Sequence, residues 1–134
     1  VDHCGVADTI GVGTPKRVQA AMERALRHYP LHEVSGHFHD TYGQALANIL
    51  ACLDEGVRVV DSAVSGTGGC PYARGATGNV ASEDVVYMLE GMGMATGVDL
   101  DRLVEVGRWL STLLGRVSGS KVTAAASGAS VLAS

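Results

Sequence analysis

Apolar runs of strand length alternate along this chain with segments that have helical periodicity. Extended runs are predicted at 1–7, 33–38 and 57–60. A first helix is predicted to begin at Thr14-Pro15 and end before Pro30, and a second has the apolar stripe Leu46, Ile49, Leu50 and Leu53. Strand, loop and helix repeated roughly three times is typical of a parallel sheet with helices packed outside it.

The second half of the chain begins with a glycine-rich stretch over 65–79, which predicts a long shaped loop. Ser82, followed by two acidic residues, predicts a helix start. Asp99 is predicted to cap a last helix with the apolar positions Leu103, Val106, Leu110, Leu113 and Leu114. We therefore expect one domain over 1–121, followed by a flexible tail over 122–134 that is rich in Ser, Ala and Gly.

Two architectures fit this order of elements, an open doubly wound sheet and an eight-stranded barrel. A barrel needs about 250 residues, so this chain could supply only part of one. Three strands alone would expose two sheet edges and the inner face of the barrel. We predict an α/β fold that is a partial TIM (β/α)8 barrel, namely its last three strand–helix units with C-terminal helices, and we expect a missing N-terminal half.

Composition narrows the classes of partner. The chain has 134 residues, is 46% hydrophobic and carries a formal net charge of −4. Its basic residues do not cluster, which argues against nucleic acid, and no apolar run approaches the roughly 20 residues that span a bilayer. Three cysteines cannot all pair, and their spacing matches no zinc template. Reduced thiols and the lack of a signal peptide predict a cytosolic protein, or one of an organelle matrix.

The strongest local motif is Gly36-His37-Phe38-His39-Asp40 at the end of the second predicted strand. Residues two apart on a strand project from the same face, so the two imidazoles of His37 and His39 can converge on one divalent ion. Such a site also needs oxygen donors. Asp40 is a candidate for orienting an imidazole. The alternative is that a His-x-His at a strand end is incidental.

Other polar residues also follow strand ends, which share one rim in a barrel. Asp8 is either a proton-transfer group or ligand, or a loop carboxylate that accepts backbone hydrogen bonds. Asp61 and Ser62 end the third strand. Cys70, in the glycine-rich loop, is either an acid or base in catalysis or an inert surface thiol. Asn79 could present its amide oxygen to an ion, or cap a helix.

Several segments together resemble the 3-hydroxy-3-methylglutaryl-CoA (HMG-CoA) lyase family. They are Ala7-Asp8-Thr9-Ile10-Gly11-Val12-Gly13-Thr14-Pro15, His37-Phe38-His39-Asp40-Thr41-Tyr42-Gly43-Gln44-Ala45-Leu46-Ala47-Asn48, Gly68-Gly69-Cys70-Pro71-Tyr72-Ala73 and Gly78-Asn79. The likeness extends to about Lys121. Enzymes that condense acetyl-CoA with 2-oxo acids share the His-x-His and the Gly-Asn, whereas the Gly-Gly-Cys-Pro-Tyr-Ala loop resembles the lyases specifically.

The resemblance implies a barrel in which His37, His39 and Asn79 bind Mg²⁺ or Mn²⁺ together with an aspartate near the start of the family's full chain. The family's Asp-Arg-Glu segment, which supplies that aspartate and an arginine, has no counterpart in this sequence. By the same resemblance, Cys70 takes part in proton transfer, and Asp8 and His37 lie near the proton that moves. The resemblance also implies that the segment from Arg116 to Lys121 lies near the CoA part of the substrate.

The reaction that the resemblance implies is metal-dependent cleavage of HMG-CoA to acetoacetate and acetyl-CoA. We expect a CoA thioester substrate, the missing N-terminal half of the barrel as a partner, a homodimer, and little activity from this chain alone. A eukaryotic member would reside in the mitochondrial matrix. The alternatives are a related barrel aldolase or synthase acting on 2-oxo acids, and a non-catalytic remnant that serves as an assembly module.

Overall fold

The computed structural model describes residues 3–69 and 78–132 of the chain. Its strands are β1 (Cys4–Asp8), β2 (Val34–Phe38) and β3 (Val59–Asp61), and its helices are α1 (Pro15–Leu26), α2 (Ala45–Asp54), α3 (Ser82–Gly91), α4 (Leu100–Leu113) and α5 (Lys121–Leu132). None of the helices in these ranges has the length and hydrophobicity needed to cross a bilayer. The chain divides into two compact units, residues 1–61 with 69–79, and residues 62–68 with 80–134.

The first unit contains a three-stranded parallel sheet in the order β1-β2-β3. β2 is the central strand, and its register pairs Ala7 with His37 on one side and His37 with Asp61 on the other. The parallel α/β organisation predicted from the sequence is confirmed. Because parallel strands have their carboxyl ends at the same edge, Asp8, His39 and Asp61 follow or end their strands at one rim.

Helices α1 and α2 cover one face of this sheet. Phe38, on β2, is almost fully buried, as are Met22 of α1 and Ile49 of α2. Gly36 permits this packing, because a Cβ there would lie 2.7 Å from the Phe38 ring and 3.3 Å from Cys52 Sγ. Phe38 and Gly36, two residues apart, therefore face the helices, and His37 faces the opposite side of the sheet.

The buried face of α2 differs from the predicted stripe. Ile49, Leu53 and Cys52 are buried, as expected from the sequence, but Leu50 is 39% exposed, and Ala45 and Asn48 are buried instead. The space above Gly36 admits the small thiol of Cys52, and this contact sets the side of the helix that faces the sheet. Periodicity correctly located the helix, but it placed the centre of its buried face too close to Leu50.

The second unit is organised by two fully or nearly buried carboxylates at the start of α3. Glu83 accepts hydrogen bonds from the backbone N–H of Ser65, at 3.1 and 3.0 Å to its two oxygens. Asp84 accepts hydrogen bonds from Ser120 Oγ at 2.7 Å and from the backbone N–H groups of Lys121 and Val122 at 3.0 and 2.9 Å. The acidic pair that marked a helix start in the sequence therefore holds distant segments of this unit together.

Helix α4 begins at the predicted cap, where Asp99 Oδ1 accepts a hydrogen bond from the N–H of Arg102 at 3.1 Å. Its buried residues are Val104 and Gly107, whereas Leu113 is 65% exposed. The predicted apolar face is thus wrong for this unit. Gly107 lies against Ser65 and Glu83, and Ser65 Oγ donates to the Gly107 carbonyl at 2.9 Å, so a polar contact sets the orientation of α4.

The sequence predicted a flexible tail over 122–134, and α5 covers Lys121–Leu132 of this region. The backbone N–H groups at the start of α5 donate to Asp84, and Thr123 is buried. A carboxylate at this position satisfies N–H groups that have no partner within the helix. The boundary at 121 and the flexibility of the residues beyond it stay predictions.

We expect Gly107→Ala to destabilise the protein. The added Cβ would clash with the buried Glu83 carboxylate and would lie 2.9 Å from Ser65 Oγ, so α4 must shift away. Overpacking of this kind costs about 1–3 kcal/mol, which urea unfolding of the purified chain would measure. Gly91→Ala is the matched control, because its Cβ would meet nothing within 4 Å. Equal stability of the two variants would contradict this account of the α4 contact.

We also expect Cys52 to be inert in the folded chain. Burial, together with the nearby Glu55 carboxylate, raises the pKa of Cys52 to about 12. The thiolate is the nucleophile, so at about pH 8 almost none of this thiol can react with iodoacetamide. Peptide mapping by mass spectrometry should find Cys52 labelled at least about 100-fold more slowly in the folded chain than in guanidinium. Rapid labelling under native conditions would contradict the burial.

Candidate metal and substrate site

The candidate metal site lies at the carboxyl end of the central strand β2. The imidazoles of His37 and His39 have ring centres 5.4 Å apart with an angle of 55° between the ring planes. Two imidazoles that share one ion through metal–nitrogen bonds of about 2.1 Å have ring centres on the order of 5 Å apart. The spacing of the two rings is therefore compatible with one shared cation.

Asn79 lies beside this pair in the same unit. An isolated antiparallel β-bridge joins His39 to Asn79, and the N–H of Asp40 donates to the carbonyl of Gly78 at 3.2 Å. These backbone contacts bring a residue 40 positions further along the chain next to His39. The backbone of Asn79 thus lies next to His39, at the end of the sheet that carries the two imidazoles.

The donor set fits a divalent cation that has further ligands. His39 is 7% exposed, and its buried Nδ1 has no hydrogen-bond partner. A buried polar atom without a partner is costly, and an ion or water commonly provides the missing contact. Within residues 3–69 and 78–132, no cluster of three or more His, Cys, Asp or Glu side chains is arranged to hold a metal. The site present is therefore two imidazoles with an amide, which is an incomplete coordination sphere.

Asp8 ends β1 at the same rim, but its carboxylate is bound to the backbone. Oδ1 accepts from the N–H of Val12 at 3.1 Å and Oδ2 accepts from the N–H of Gly13 at 2.7 Å. Asp8 pairs with Phe38 in the sheet register, so its side chain leaves the sheet on the face that the helices cover. These are the contacts expected for a loop carboxylate, and each oxygen keeps a second acceptor position. A role for Asp8 in proton transfer stays a prediction.

In the candidate metal site, the carboxylate that contacts an imidazole is Asp61, whereas the sequence suggested Asp40. His37 Nδ1 and Asp61 Oδ2 are 3.2 Å apart. Asp40 Oδ1 instead accepts the N–H of Ala45 at 3.0 Å, at the start of α2. The sequence alone marks Asp61 only as a polar residue at a strand end. The register between β2 and β3 is the information that identifies its partner, and register is not visible in the local sequence.

Cys70 lies outside the described residues, so its proposed role stays a prediction.

In the second unit, Arg108, Arg116 and several residues with hydroxyl side chains line an open cleft of about 690 Å³. The guanidinium of Arg116 lies 3.5 Å from the carbonyl of Gly66, a long contact. Lys121 is exposed and donates its backbone N–H to Asp84. Of the two predicted CoA contacts, Arg116 therefore lines a cleft of ligand size.

Comparison with known proteins identifies the family. The HMGL-like family matches residues 2–110. The chain is 54% identical over 120 residues to the mitochondrial hydroxymethylglutaryl-CoA lyase of Arabidopsis thaliana, covering 90% of this chain and 26% of that protein. It is 52% identical over 120 residues to the cytoplasmic 3-hydroxy-3-methylglutaryl-CoA lyase of Rattus norvegicus, covering 90% of this chain and 35% of that protein.

A solved structure gives the same result. Hydroxymethylglutaryl-CoA lyase from Pseudomonas aeruginosa superposes with a TM-score of 0.90 at 50% sequence identity, over 95% of this chain and 42% of that one. This chain therefore spans less than half the length of each of these three relatives. The family match, covering most of the chain, agrees with the resemblance noted in the sequence. The chain belongs to the HMGL-like family and is a relative of the HMG-CoA lyases.

Proposed function

We propose that this chain is part of a divalent-metal-dependent HMG-CoA lyase, which cleaves HMG-CoA to acetoacetate and acetyl-CoA. In this proposal it supplies the last three strand–helix units of a TIM barrel with C-terminal helices, and residues 1–121 belong to the lyase domain. The remaining barrel strands would come from a segment equivalent to the rest of the longer relatives. Their names describe lyases, which favours this function over a 2-oxo-acid aldolase or a non-catalytic module.

One observation supports the proposal: the rings of His37 and His39 lie close together at the rim of the sheet, and a backbone bridge joins His39 to Asn79. In this proposal all three side chains hold a Mg²⁺ or Mn²⁺ ion, with further ligands from outside this chain. Nitrogen and amide oxygen donors suit such ions when carboxylates complete the sphere. A bound divalent cation would lower the pKa of a substrate hydroxyl and fix the geometry of cleavage.

The chain's own residues would move the protons. Cleavage next to a tertiary alcohol requires a base to accept the hydroxyl proton while the thioester enolate departs. The His37 imidazole and the Asp8 carboxylate are the two candidates within this chain. Cys70 would return a proton from its Sγ to the enolate carbon. Exclusion of water would let the enolate persist until this step.

The cleft of the second unit suits the CoA part of the substrate. Its lining residues include Arg108 and Arg116 together with Ser111, Thr112 and Ser118. Guanidinium groups bind phosphate through paired, charge-assisted hydrogen bonds. We propose Arg116 and Lys121 as the contacts to CoA. A homodimer, and a cytosolic or mitochondrial matrix location, stay predictions.

A chimera tests the function directly. We would join this chain to the part of the Pseudomonas aeruginosa lyase that precedes its matching region, because the two folds superpose closely over 95% of this chain. With Mn²⁺ the chimera should release acetyl-CoA from HMG-CoA. His39→Ala in the chimera should lower kcat by at least about 100-fold, because a metal ligand is lost. The chain alone should show no turnover, because it contains no Asp-Arg-Glu segment.

The matched control is His28→Ala, which removes an exposed imidazole after α1 and should leave kcat unchanged. Circular dichroism would establish that each variant is folded. A folded chimera without lyase activity, or equal activity of the His28 and His39 variants, would contradict the proposal. Robust turnover by the chain alone would refute the predicted need for the remaining ligand and arginine.

The CoA cleft gives a separate prediction in the same chimera. Arg116→Ala should raise KM for HMG-CoA by about 10-fold with little change in kcat, because the lost contact is remote from the reacting carbon. Arg102→Ala is the control, because Arg102 is exposed and pairs with Asp99 at the start of α4, away from the cleft lining. A fall in kcat at constant KM would show that Arg116 does not act through CoA binding.

A further inference from the structure

His37 and Asp61 are paired by the register of the sheet. They lie directly opposite each other on β2 and β3, so their side chains project side by side from the same face of the sheet. His37 Nδ1 lies 3.2 Å from Asp61 Oδ2. Asp61 is the last residue of β3, at the rim that carries His39 and the Asn79 bridge. The contact is therefore part of the candidate metal site.

Stability alone is a poor explanation for this pair. The side chains are 36% exposed for His37 and 60% exposed for Asp61. Ion pairs with this much exposure contribute little to folding, because water screens the charges and both side chains lose conformational freedom. The nearby Asp40 has a different task, because its Oδ1 accepts the N–H of Ala45. Among the residues that the structure describes, Asp61 is thus the carboxylate in contact with His37.

The position of the contact on the imidazole ring has a chemical consequence. A neutral imidazole carries its proton on one nitrogen, and the lone pair of the other nitrogen can bind a metal. A carboxylate is an acceptor only, so Nδ1 must be the donor in this contact. The tautomer of a histidine is set by the hydrogen bond that one of its nitrogens makes. Asp61 therefore leaves the lone pair on Nε2, the nitrogen at the far side of the ring from the carboxylate.

We infer that Asp61 is a positioning residue: it holds the His37 proton on Nδ1 and fixes the ring, so that Nε2 is presented to the divalent cation. This inference rests on the proposed function, because it concerns the same metal site. Carboxylates that hold a ligating imidazole in this way commonly increase metal affinity by about 10–100-fold. The tautomer, however, is a property of the metal-free chain and can be measured without the ion.

The first experiment measures the tautomer. Long-range ¹H–¹⁵N spectra of the metal-free chain at about pH 8.5, above the ordinary range for imidazole, report which ring nitrogen is protonated. We expect His37 to carry its proton on Nδ1. Asp61→Ala should lower the Nδ1-protonated fraction by at least about half, whereas Asp61→Asn should largely preserve it, because the amide oxygen can accept the same hydrogen bond. An Asp61→Ala variant with an unchanged His37 tautomer would overturn the inference.

The second experiment measures binding of Mn²⁺ to the same proteins by electron paramagnetic resonance. Asp61→Ala should weaken binding about 10–100-fold and Asp61→Asn should weaken it less. The control is Asp54→Ala, at the exposed end of α2 in the same unit, which should change neither the tautomer nor the affinity. Unfolding midpoints should be the same in all variants, as expected for an exposed pair.

The two experiments separate the inference from the proposed function. Equal loss of Mn²⁺ affinity in the Asn and Ala variants, with no change of tautomer, would make Asp61 a ligand and overturn the positioning role. A chain that binds no Mn²⁺ but shows the tautomer change in Asp61→Ala would refute the metal site of the proposed function and support the fixing of His37 by Asp61.

Discussion

The parallel register of three short strands is the constraint on which the candidate site depends. Because Ala7, His37 and Asp61 occupy one row across the sheet, a shift of β3 by a single residue would turn the Asp61 side chain to the opposite face. The small, buried Gly36 allows β2 to pack closely against α2. Because Gly36 and Phe38 face the helices, His37 between them points to the opposite face of the sheet. Packing on one face of the sheet thereby determines the chemistry available on the other.

The structure of the second unit depends on a different constraint, the burial of the Glu83 and Asp84 carboxylates. Carboxylates are rarely buried unless hydrogen bonds compensate for lost hydration. Glu83 is compensated by the Ser65 backbone, and Asp84 by Ser120 and the first N–H groups of α5. Removal of one partner from such a contact leaves a buried charge without compensating hydrogen bonds, which is costly. Each buried carboxylate therefore holds its partner segment firmly in place. Ser65 is held in a left-handed conformation with φ of 56°, which the bonds to Glu83 support.

Local pattern was sufficient to predict the order of the three strands and of helices α1 to α4. The metal-binding role of the candidate ligands stays a prediction. The alternation of strand and helix periods predicted the parallel sheet, and the spacing of two in His37-Phe38-His39 correctly placed both imidazoles on one face. What local pattern could not supply was pairing between distant segments. Local pattern assigned no partner to Asp61 and suggested an imidazole as the partner of Asp40, whose carboxylate instead accepts the N–H of Ala45. Only the strand register decides which carboxylate lies beside His37.

The error in α4 has a related cause. Counting apolar residues selected the face with Val106 and Leu113, whereas the helix packs through Gly107, a residue with no side chain to count. A glycine that fits over a buried carboxylate is invisible to hydrophobic periodicity, because the contact involves the helix backbone and the Ser65 hydroxyl. Polar anchors and close backbone contacts are thus the features of this chain that sequence pattern describes least well.

The contact between His37 and Asp61 also bears on which group accepts the substrate proton. An imidazole that donates from Nδ1 to a carboxylate and coordinates an ion through Nε2 has no lone pair left for a proton. If both contacts hold during the reaction, His37 is confined to coordination, and Asp8 becomes the candidate base within the described residues. Its carboxylate keeps one free acceptor position on each oxygen beyond the bonds from Val12 and Gly13. A base tethered to backbone N–H groups moves little, which favours a fixed path for proton transfer.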